Sequence, residues 1–392
     1  MEQEQLFEMT AQTFQGLEEI LAQELEGIGA ENIEVKKRAV TFEGNKETMY
    51  KANLWLRTAI RVLVPLERFV AKDEDELYEN AKKIDWTKYL DLYSTFAIDS
   101  SVSSPIFTHS QYVALKVKDA IADHFRERTG GKRPSVDVER PNVSIHIRIS
   151  DDKCILSLDS SGTPLFRRGY KTEQKAAPLN ESLAAAMIYM SGWKGERNFV
   201  DPMCGSGTIL VEAALIATNT APGLFRSEYG FLGWKDADRR LWRKLIREAK
   251  RAQKDINCKI LGSDIDPDAI DVTAGNIERA GMDDYISIRQ IAFQDRQVPK
   301  GEGVLICNPP YGERIGGDIE DIELLYKELG DKMKQDFTGY DAWILSASTE
   351  GLKSVGLKTS KKVDLLNGGL ECKYVKYELY EGSRKEKAES EE

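Results

Sequence analysis

From residue 198 onward the chain alternates between short apolar runs and longer amphipathic ones. That alternation restricts the possible fold more than any other feature. The runs "NFVDPM", "KILGSDI", "ISIRQI", "GVLICN" and "DAWILSAS" read as strands, with helical segments between them. Strands separated by helices build a parallel, doubly wound α/β sheet. The stretch "KKVDLLNGGLECKYVKYELY" breaks the pattern. There Asn367-Gly368-Gly369 lies between two β-rich runs and predicts a hairpin. The parallel sheet is therefore expected to carry an antiparallel hairpin at one edge.

The preceding residues are organised differently. Gly16 to Gly29 predicts a helix with Leu17, Ile20, Leu21, Leu25 and Ile28 on one face, ended by glycine. "NIEVKKRAVTFEG" reads as a hairpin. In the next part, "FAIDSSVSS" predicts a strand and "SQYVALKVKDAIADHFRER" a helix, and "VSIHIRIS" and "CILSLDSSG" alternate like paired strands. A basic, glycine-containing stretch, 161–178, reads as a linker. Boundaries are expected at 1–65, 66–162 and 163–382, with 383–392 a polar, disordered tail.

Several function classes are excluded early. No run approaches the ~18 apolar residues of a membrane span, and "MEQEQLFEMT" lacks the basic and apolar regions of a secretory leader. The five cysteines, 154, 204, 258, 307 and 372, are far apart, and the three histidines lack ligand spacing. Neither a disulfide framework nor a metal site is indicated, and a reducing cytoplasm is expected. A net charge of −10 argues against wholesale coating of nucleic acid, but local basic surface is present. Arg126, Arg128, Lys132, Arg133, Arg140 and Arg148 outnumber Glu127, Asp137 and Glu139. Arg167, Arg168, Lys171 and Lys175 outnumber Glu173. Each segment alone also reads as a solvated face.

In a doubly wound sheet, ligands bind at the C-terminal ends of the strands. Three motifs fall there. In "VDPMCGSGTILVEAA", Gly205 and Gly207 follow a strand and open a helix, where backbone can approach a ligand closely. A phosphate-cradling loop would need Lys-Ser/Thr after the last glycine, and a dinucleotide fingerprint a third glycine where Leu210 stands. In "LGSDIDPDAIDVTAGN", Asp264 ends the next strand, and its carboxylate can accept from both hydroxyls of a ribose. Asp266 before Pro267 reads as a helix N-cap, and Asn276 as a brace for the neighbouring loop. The third motif is "ICNPPYGERIG". Pro309 and Pro310 have no N–H to donate, so the strand must stop there. A rigid turn with a core tyrosine is the plain reading of that motif in isolation.

Order and spacing of these motifs resemble the class I S-adenosylmethionine-dependent methyltransferases that modify exocyclic amino groups. "SQYVALKVKDAI", "LDSSGTPLFRRGYK", "APLNESLAAAMIYMSGW", "DPMCGSGTILVEAALIATNTAPGL" and "NPPYGERIG" together resemble the THUMP-domain 23S rRNA guanine-N2 methyltransferases, the RlmL-type and YpsC-like proteins. The resemblance runs over roughly residues 5 to 380. It implies a ferredoxin-like domain at 1–65, a THUMP RNA-binding domain at 66–162 and a Rossmann-like methyltransferase domain at 163–382, with a mostly parallel seven-stranded sheet. It implies S-adenosylmethionine as cofactor and RNA, 23S rRNA first, as partner, with no metal. Carried over by position, Asp201, Pro202, Gly205, Gly207, Thr208, Asp264, Ile265 and Asn308 would bind the cofactor. Asn308, Pro309, Pro310 and Tyr311 would form the catalytic loop. Arg126, Arg128, Lys132, Arg133, Arg167 and Arg168 would contact RNA.

Two departures from the family pattern stand out. Where many such enzymes hold an acid for the adenine amino group, this chain has Ala292, which leaves Gln290, Asp295 or backbone to serve. Some relatives fuse a second methyltransferase domain, whereas one reaction is expected of this chain. The alternative substrates are tRNA, DNA or a protein amide. An RNA-binding assembly factor with a vestigial catalytic fold is the non-enzymatic alternative. Sequence assigns neither the target nucleotide nor the oligomeric state.

The loop suits amine chemistry. An exocyclic amine is a poor nucleophile because its lone pair is delocalised into the ring. Attack on a sulfonium methyl group needs in-line approach. As the nitrogen becomes positive, it gains from acceptors already in place. The Asn308 amide oxygen and the Pro309 carbonyl can be those acceptors, the prolines hold them rigidly, and Tyr311 can stack on a base that has left its helix. Guanine N2, adenine N6 and cytosine N4 all suit such a loop; guanine rests on the resemblance.

Overall fold

A computed structural model describes residues 6–171, 179–312 and 319–380. The chain divides into two compact units. The first comprises the chain up to Thr13, Leu21–Leu165 and Arg226–Glu248; the second comprises Phe14–Ile20, Phe166–Phe225 and the chain from Ala249 on. Lys175 and Glu173 of the basic stretch, residues 313–316 of the proline motif and the expected tail lie outside the described residues.

In the first unit, β1 (Phe7–Thr13), α1 (Glu18–Gly27, whose first three residues fall in the second unit), β2 (Glu31–Lys36), β3 (Ala39–Gly44), α2 (Lys46–Trp55) and β4 (Ala59–Val70) are followed by α3 (Glu74–Lys83), β5 (Thr95–Ser103), α4 (Ser110–Thr129), β6 (Ser135–Val136), β7 (Val143–Ser150) and β8 (Lys153–Asp159). The expected hairpin is β2–β3, with Val35 opposite Val40. Among the described residues these strands form one eight-stranded sheet in the order β2-β3-β1-β4-β8-β7-β5-β6. The twelve-residue β4 pairs with β1 and with β8, so the sheet continues through residue 65. Its register against β8 shifts between Pro65 and Glu67, as expected where a proline has no N–H for the ladder. Helices α3 and α4 bury Leu77, Ala81, Val117, Ile121 and Phe125 against Ile145, Ile147 and Leu156 of the sheet. Helix α4 ends at Gly130 with φ +65°, the left-handed closure that glycine adopts at least cost.

The second unit contains α5 (Glu181–Ser191), β9 (Asn198–Asp201) and α6 (Thr208–Ala217). Next along the chain is α7 (Arg239–Arg251), which starts in the first unit. It is followed by β10 (Ile260–Asp264), α8 (Pro267–Ala280), β11 (Ile286–Gln290), β12 (Gly303–Cys307), α9 (Ile319–Asp336), β13 (Tyr340–Ser346), α10 (Thr349–Ser354), β14 (Lys361–Asn367) and β15 (Leu370–Glu378). The sheet order is β11-β10-β9-β12-β13-β15-β14. β9 pairs in parallel with β10 and β12, and β13 in parallel with β12, while β15 runs antiparallel to β13 and β14. This is the Rossmann-like sheet with an edge hairpin expected from the alternation. Its hairpin closes with Asn367 opposite Leu370. Strand β12, "GVLIC", is buried along its whole length, as a central strand covered on both faces must be. Helix α6 packs in the core with Phe199, Ile260 and Val304. Helix α8 starts as expected, with Asp266 accepting from the Asp268 N–H at 3.0 Å and proline in its first turn.

Candidate active site

The sheet puts three loops side by side at the C-terminal ends of β9, β10 and β12. Between them lies a cavity of about 1140 Å³. Its walls include Pro202, Met203 and Gly205 after β9, Asp264 and Ile265 at the end of β10, and Asn308 to Gly312 after β12.

The loop after β9 is held from below by α8. Thr273 Oγ1 donates to the Gly205 carbonyl at 2.7 Å, and Asn276 Nδ2 to the Ser206 carbonyl at 2.8 Å. Asn276 is thus the brace its sequence position suggested. The two glycines serve different ends. Gly205 has φ +54°, and a Cβ there would meet no atom within 4 Å, so its face is open. Gly207 has φ +73°, and a Cβ would lie 2.6 Å from Thr273 Cγ2. The first glycine leaves room for a ligand; the second lets α6 start against α8. Asp264 accepts from the Gly205 N–H at 2.8 Å and the Asp266 N–H at 3.1 Å. Each carboxylate oxygen retains lone-pair capacity for further donors.

Asp201 is 1% exposed. One of its oxygens accepts from the Met203 N–H at 3.3 Å, and the other has no hydrogen-bond partner. Burial pushes its carboxyl up to about 8; the Met203 N–H opposes the rise, Asp264 adds to it and Arg296 lowers it. Five of the eight expected cofactor residues, Pro202, Gly205, Asp264, Ile265 and Asn308, line the cavity. Asp201, Gly207 and Thr208 are buried and do not line it. On the β11 side, Ala292, Phe293 and Gln294 line the wall rather than Gln290 or Asp295. Both of those side chains are exposed. Gln294 Nε2 donates to Glu328 at 2.6 Å.

The proline loop is fixed by its neighbours. Tyr326 donates to the Pro310 carbonyl at 3.2 Å and shares a 2.6 Å bond with Ser346. The Tyr311 hydroxyl donates to the Asn308 amide oxygen. In turn it accepts from Asn367 Nδ2 at 3.5 Å and lies 3.9 Å from Cys372 Sγ. Burial drives the Tyr311 phenol far above its ordinary pKa of 10, so it keeps its proton and remains a donor. Its ring packs on the core. Tyr311 thus lines the cavity as expected, but its hydroxyl is tied inward rather than standing free. Among the described residues the Pro309 carbonyl accepts no hydrogen bond.

Some of the wall was not foreseen from the sequence. Phe14, 6.0 Å from Phe166 between ring centroids, contributes one side. Asn180, whose side chain caps α5 by accepting from Ser182 N–H at 2.8 Å, contributes another. Leu366 to Leu370 at the hairpin tip complete it. Asparagine before "ES" was a readable cap signal; nothing in the sequence pointed Phe14 at the proline loop.

Among the basic residues, Arg126 and Arg133 share a groove of about 430 Å³ with Lys118 in the first unit. Arg126 pairs with Asp123 at 2.8 Å, and Arg128 donates to the His124 carbonyl at 3.2 Å. Arg128, Lys132 and Arg167 are exposed. Arg168 is a correction: it is 1% exposed and its Nε lies 3.5 Å from the buried Glu212 carboxylate. A phosphate cannot reach it, and its charge is matched inside the protein instead. Among the described residues no cluster suits a metal ion, and no helix is long and apolar enough to cross a membrane.

Comparison with known proteins gives matches along the chain. A model of the RMKL-like methyltransferase domain matches residues 168–376, a THUMP domain model 71–159, and an RlmL ferredoxin-like domain model 8–63. A provisionally assigned RNA methyltransferase of Synechocystis sp. is 42% identical over 366 residues, which covers 93% of this chain and 95% of that protein. The ribosomal RNA large subunit methyltransferase K/L of Methylococcus capsulatus is 42% identical over 373 residues, covering 93% of this chain and 50% of that protein. The chain therefore spans about half the length of that K/L relative. The crystal structure of a provisionally assigned methyltransferase complexed with S-adenosylhomocysteine superposes with a TM-score of 0.87 at 32% identity. It covers 97% of this chain and 100% of that one.

Proposed function

This chain belongs to the family of RMKL-like methyltransferases that carry an RlmL ferredoxin-like domain and a THUMP domain, and from that premise we propose that it methylates the N2 amino group of a guanine in 23S rRNA in the cytoplasm, with S-adenosylmethionine as donor. The observation that carries the reading is the rigid Asn308-Pro309-Pro310-Tyr311 loop, which faces Gly205 and Asp264 across one cavity.

The residues fit the cofactor. Gly205 leaves open backbone, Asp264 has free lone pairs where a ribose would lie, and the cavity of about 1140 Å³ has room for a nucleoside and a base together. When bound, S-adenosylmethionine supplies a methyl group made electrophilic by its sulfonium. Asp264 would hold the ribose, and Ala292 to Gln294 would flank the adenine. The Asn308 amide oxygen, already oriented by Tyr311, would accept a hydrogen bond from one N–H of the target amine, and the Pro309 carbonyl would accept one from the other. Both acceptors would be in place as the nitrogen turns positive, so little reorganisation would be needed. Water takes the proton that the product amine gives up, and no strong base is required. Phe14 and the hairpin tip wall off the far side, where an extruded base would sit. The match to a THUMP domain and the names of the relatives support RNA over DNA.

The test is methyl transfer from labelled S-adenosylmethionine to 23S rRNA isolated from cells lacking the protein. Label is expected in N2-methylguanosine, and Asn308→Ala is expected to lower single-turnover rates by about 10² to 10³-fold, by analogy with loss of an oxyanion-hole donor. Label in another nucleoside, or an Asn308→Ala rate near wild type, would overturn the assignment.

A further inference from the structure

Helix α7 carries a charge pattern that the cavity chemistry does not use. Its thirteen residues, "RRLWRKLIREAKR", hold seven basic side chains and one acidic one, in a chain whose net charge is −10. At about 100° per residue, Arg240, Arg243, Lys244, Arg247 and Arg251 fall within about 100° of arc. All five are exposed. The opposite face is buried. Trp242 stands 4.9 Å from the Tyr229 ring, 5.1 Å from Phe231 and 5.9 Å from Tyr50, and Leu245 is 3% exposed. Asp238 fixes the start of the helix by accepting from the Arg240 and Leu241 N–H groups, both at 2.9 Å. The helix is therefore pinned with its cations outward.

Those cations are poorly matched within the protein. Lys244 has Glu47 and Glu248, each at 3.8 Å. Arg243 Nε donates to the Arg239 carbonyl at 3.1 Å. Among the described residues Arg240, Arg247 and Arg251 have no carboxylate within 4.0 Å. Like charges also stand four residues apart at Arg239 and Arg243, Arg240 and Lys244, Arg243 and Arg247, and Arg247 and Arg251, where they repel. Arg239 and Arg240 sit in the first turn, against the helix dipole. A row of mutually repelling cations is relieved by a polyanion laid along it. Arginine predominates, and its planar fork grips phosphate oxygens two at a time.

We propose that the exposed stripe of α7 is a docking surface for the phosphate backbone of RNA, separate in sequence from the basic stretch of residues 126–148. The proposal rests on the reading of RNA as the substrate. A basic amphipathic helix can instead bind an anionic membrane, but it does so by inserting its apolar face. Here that face is filled by the aromatic cluster.

The experiment compares the full chain with an Arg240→Gln, Arg243→Gln, Arg247→Gln triple variant, which leaves Lys244 and its acidic neighbours in place. Binding of unmethylated 23S rRNA transcript is measured between 50 and 300 mM salt. The variant is expected to bind at least about 10-fold more weakly at low salt. The slope of log affinity against log salt is expected to shrink by about two units, since each lost phosphate contact removes ~0.7 to 0.9. Affinity for S-adenosylhomocysteine and the melting temperature are expected to stay at wild-type values. A control variant with the exposed Lys327, Lys334 and Lys358 changed to Gln removes the same charge elsewhere and is expected to bind as wild type. Unchanged affinity and slope in the triple variant, or an equal loss in the control, would overturn the proposal. So would a variant whose only loss is binding to phosphatidylglycerol vesicles. Failure of the wild-type chain to bind or methylate RNA would instead sink the substrate reading, and the proposal with it.

Discussion

Replacing Tyr311 by phenylalanine separates two roles that one side chain could play. Stacking on a base needs the ring, which Phe retains. Orienting the Asn308 amide needs the hydroxyl, which Phe lacks. Among the described residues the hydroxyl joins the Asn308 amide oxygen to Asn367 Nδ2, so its removal leaves one acceptor and one donor short of a partner. A net hydrogen bond contributes about 0.5–1.5 kcal/mol, and stranding a buried polar group costs about 1–3 kcal/mol. If about 1–2 kcal/mol of that appears as misorientation of Asn308 in the transition state, kcat falls roughly 5- to 30-fold. The affinities for RNA and for S-adenosylhomocysteine should hold within about twofold. The assay is single-turnover methylation by wild type, Tyr311→Phe, Asn308→Ala and the double variant. A hydroxyl that acts only through Asn308 has nothing left to do once the amide is gone. In the Asn308→Ala background the Tyr311 change should therefore cost less than about twofold. A wild-type rate for Tyr311→Phe, or two penalties that simply add, would refute the positioning role.

Asp264→Ala should weaken S-adenosylhomocysteine binding by about 10- to 100-fold, with a smaller effect on the chemical step, because ribose bonding is the same in ground and transition states; calorimetry showing unchanged affinity would remove Asp264 from the site. Gly207→Ala places a Cβ 2.6 Å from Thr273 Cγ2 at φ +73° and should destabilise the protein by about 2–4 kcal/mol in urea titration; a change under about 0.5 kcal/mol would show that α8 yields freely. Asp201 is pushed up to about 8 from 3.8, so between those pH values the unfolded chain gives up a proton that the folded chain keeps, and stability falls as pH rises through that window. Asp201→Asn removes this dependence, and its melting-temperature advantage over wild type should grow from pH 5 to pH 8; a constant difference would contradict the buried, protonated carboxyl.

The second unit was readable because its strands are short, apolar and regularly spaced, and because its motifs sit at strand ends. Asp266, Pro267 and Asn276 do what their local chemistry dictates, capping α8 and bracing the loop. What escaped was long-range. Phe14 lies 294 residues before Asn308, and no local periodicity reports that the two share a cavity. Arg168 read as a surface cation because its burial partner, Glu212, is 44 positions away inside a helix that is otherwise almost wholly apolar. The segment Arg226–Glu248 falls in the first compact unit through Tyr229, Phe231 and Trp242 around Tyr50, whereas sequence order groups it with the methyltransferase motifs. A fragment beginning near residue 165 would keep that aromatic segment without Tyr50, and would lack Phe14 and Leu17. The sequence places Tyr311 in the expected catalytic loop, but the inward direction of its hydroxyl depends on the hairpin tip at Asn367, 56 residues later.

The most direct test of the account is a nucleoside map of 23S rRNA from cells that lack this protein, set beside cells in which the wild-type chain or Asn308→Ala is restored. The account predicts that one N2-methylguanosine disappears, returns with the wild-type chain and stays absent with Asn308→Ala. A 23S rRNA that keeps all its N2-methylguanosine, with a modified nucleoside lost from tRNA or DNA instead, would contradict it.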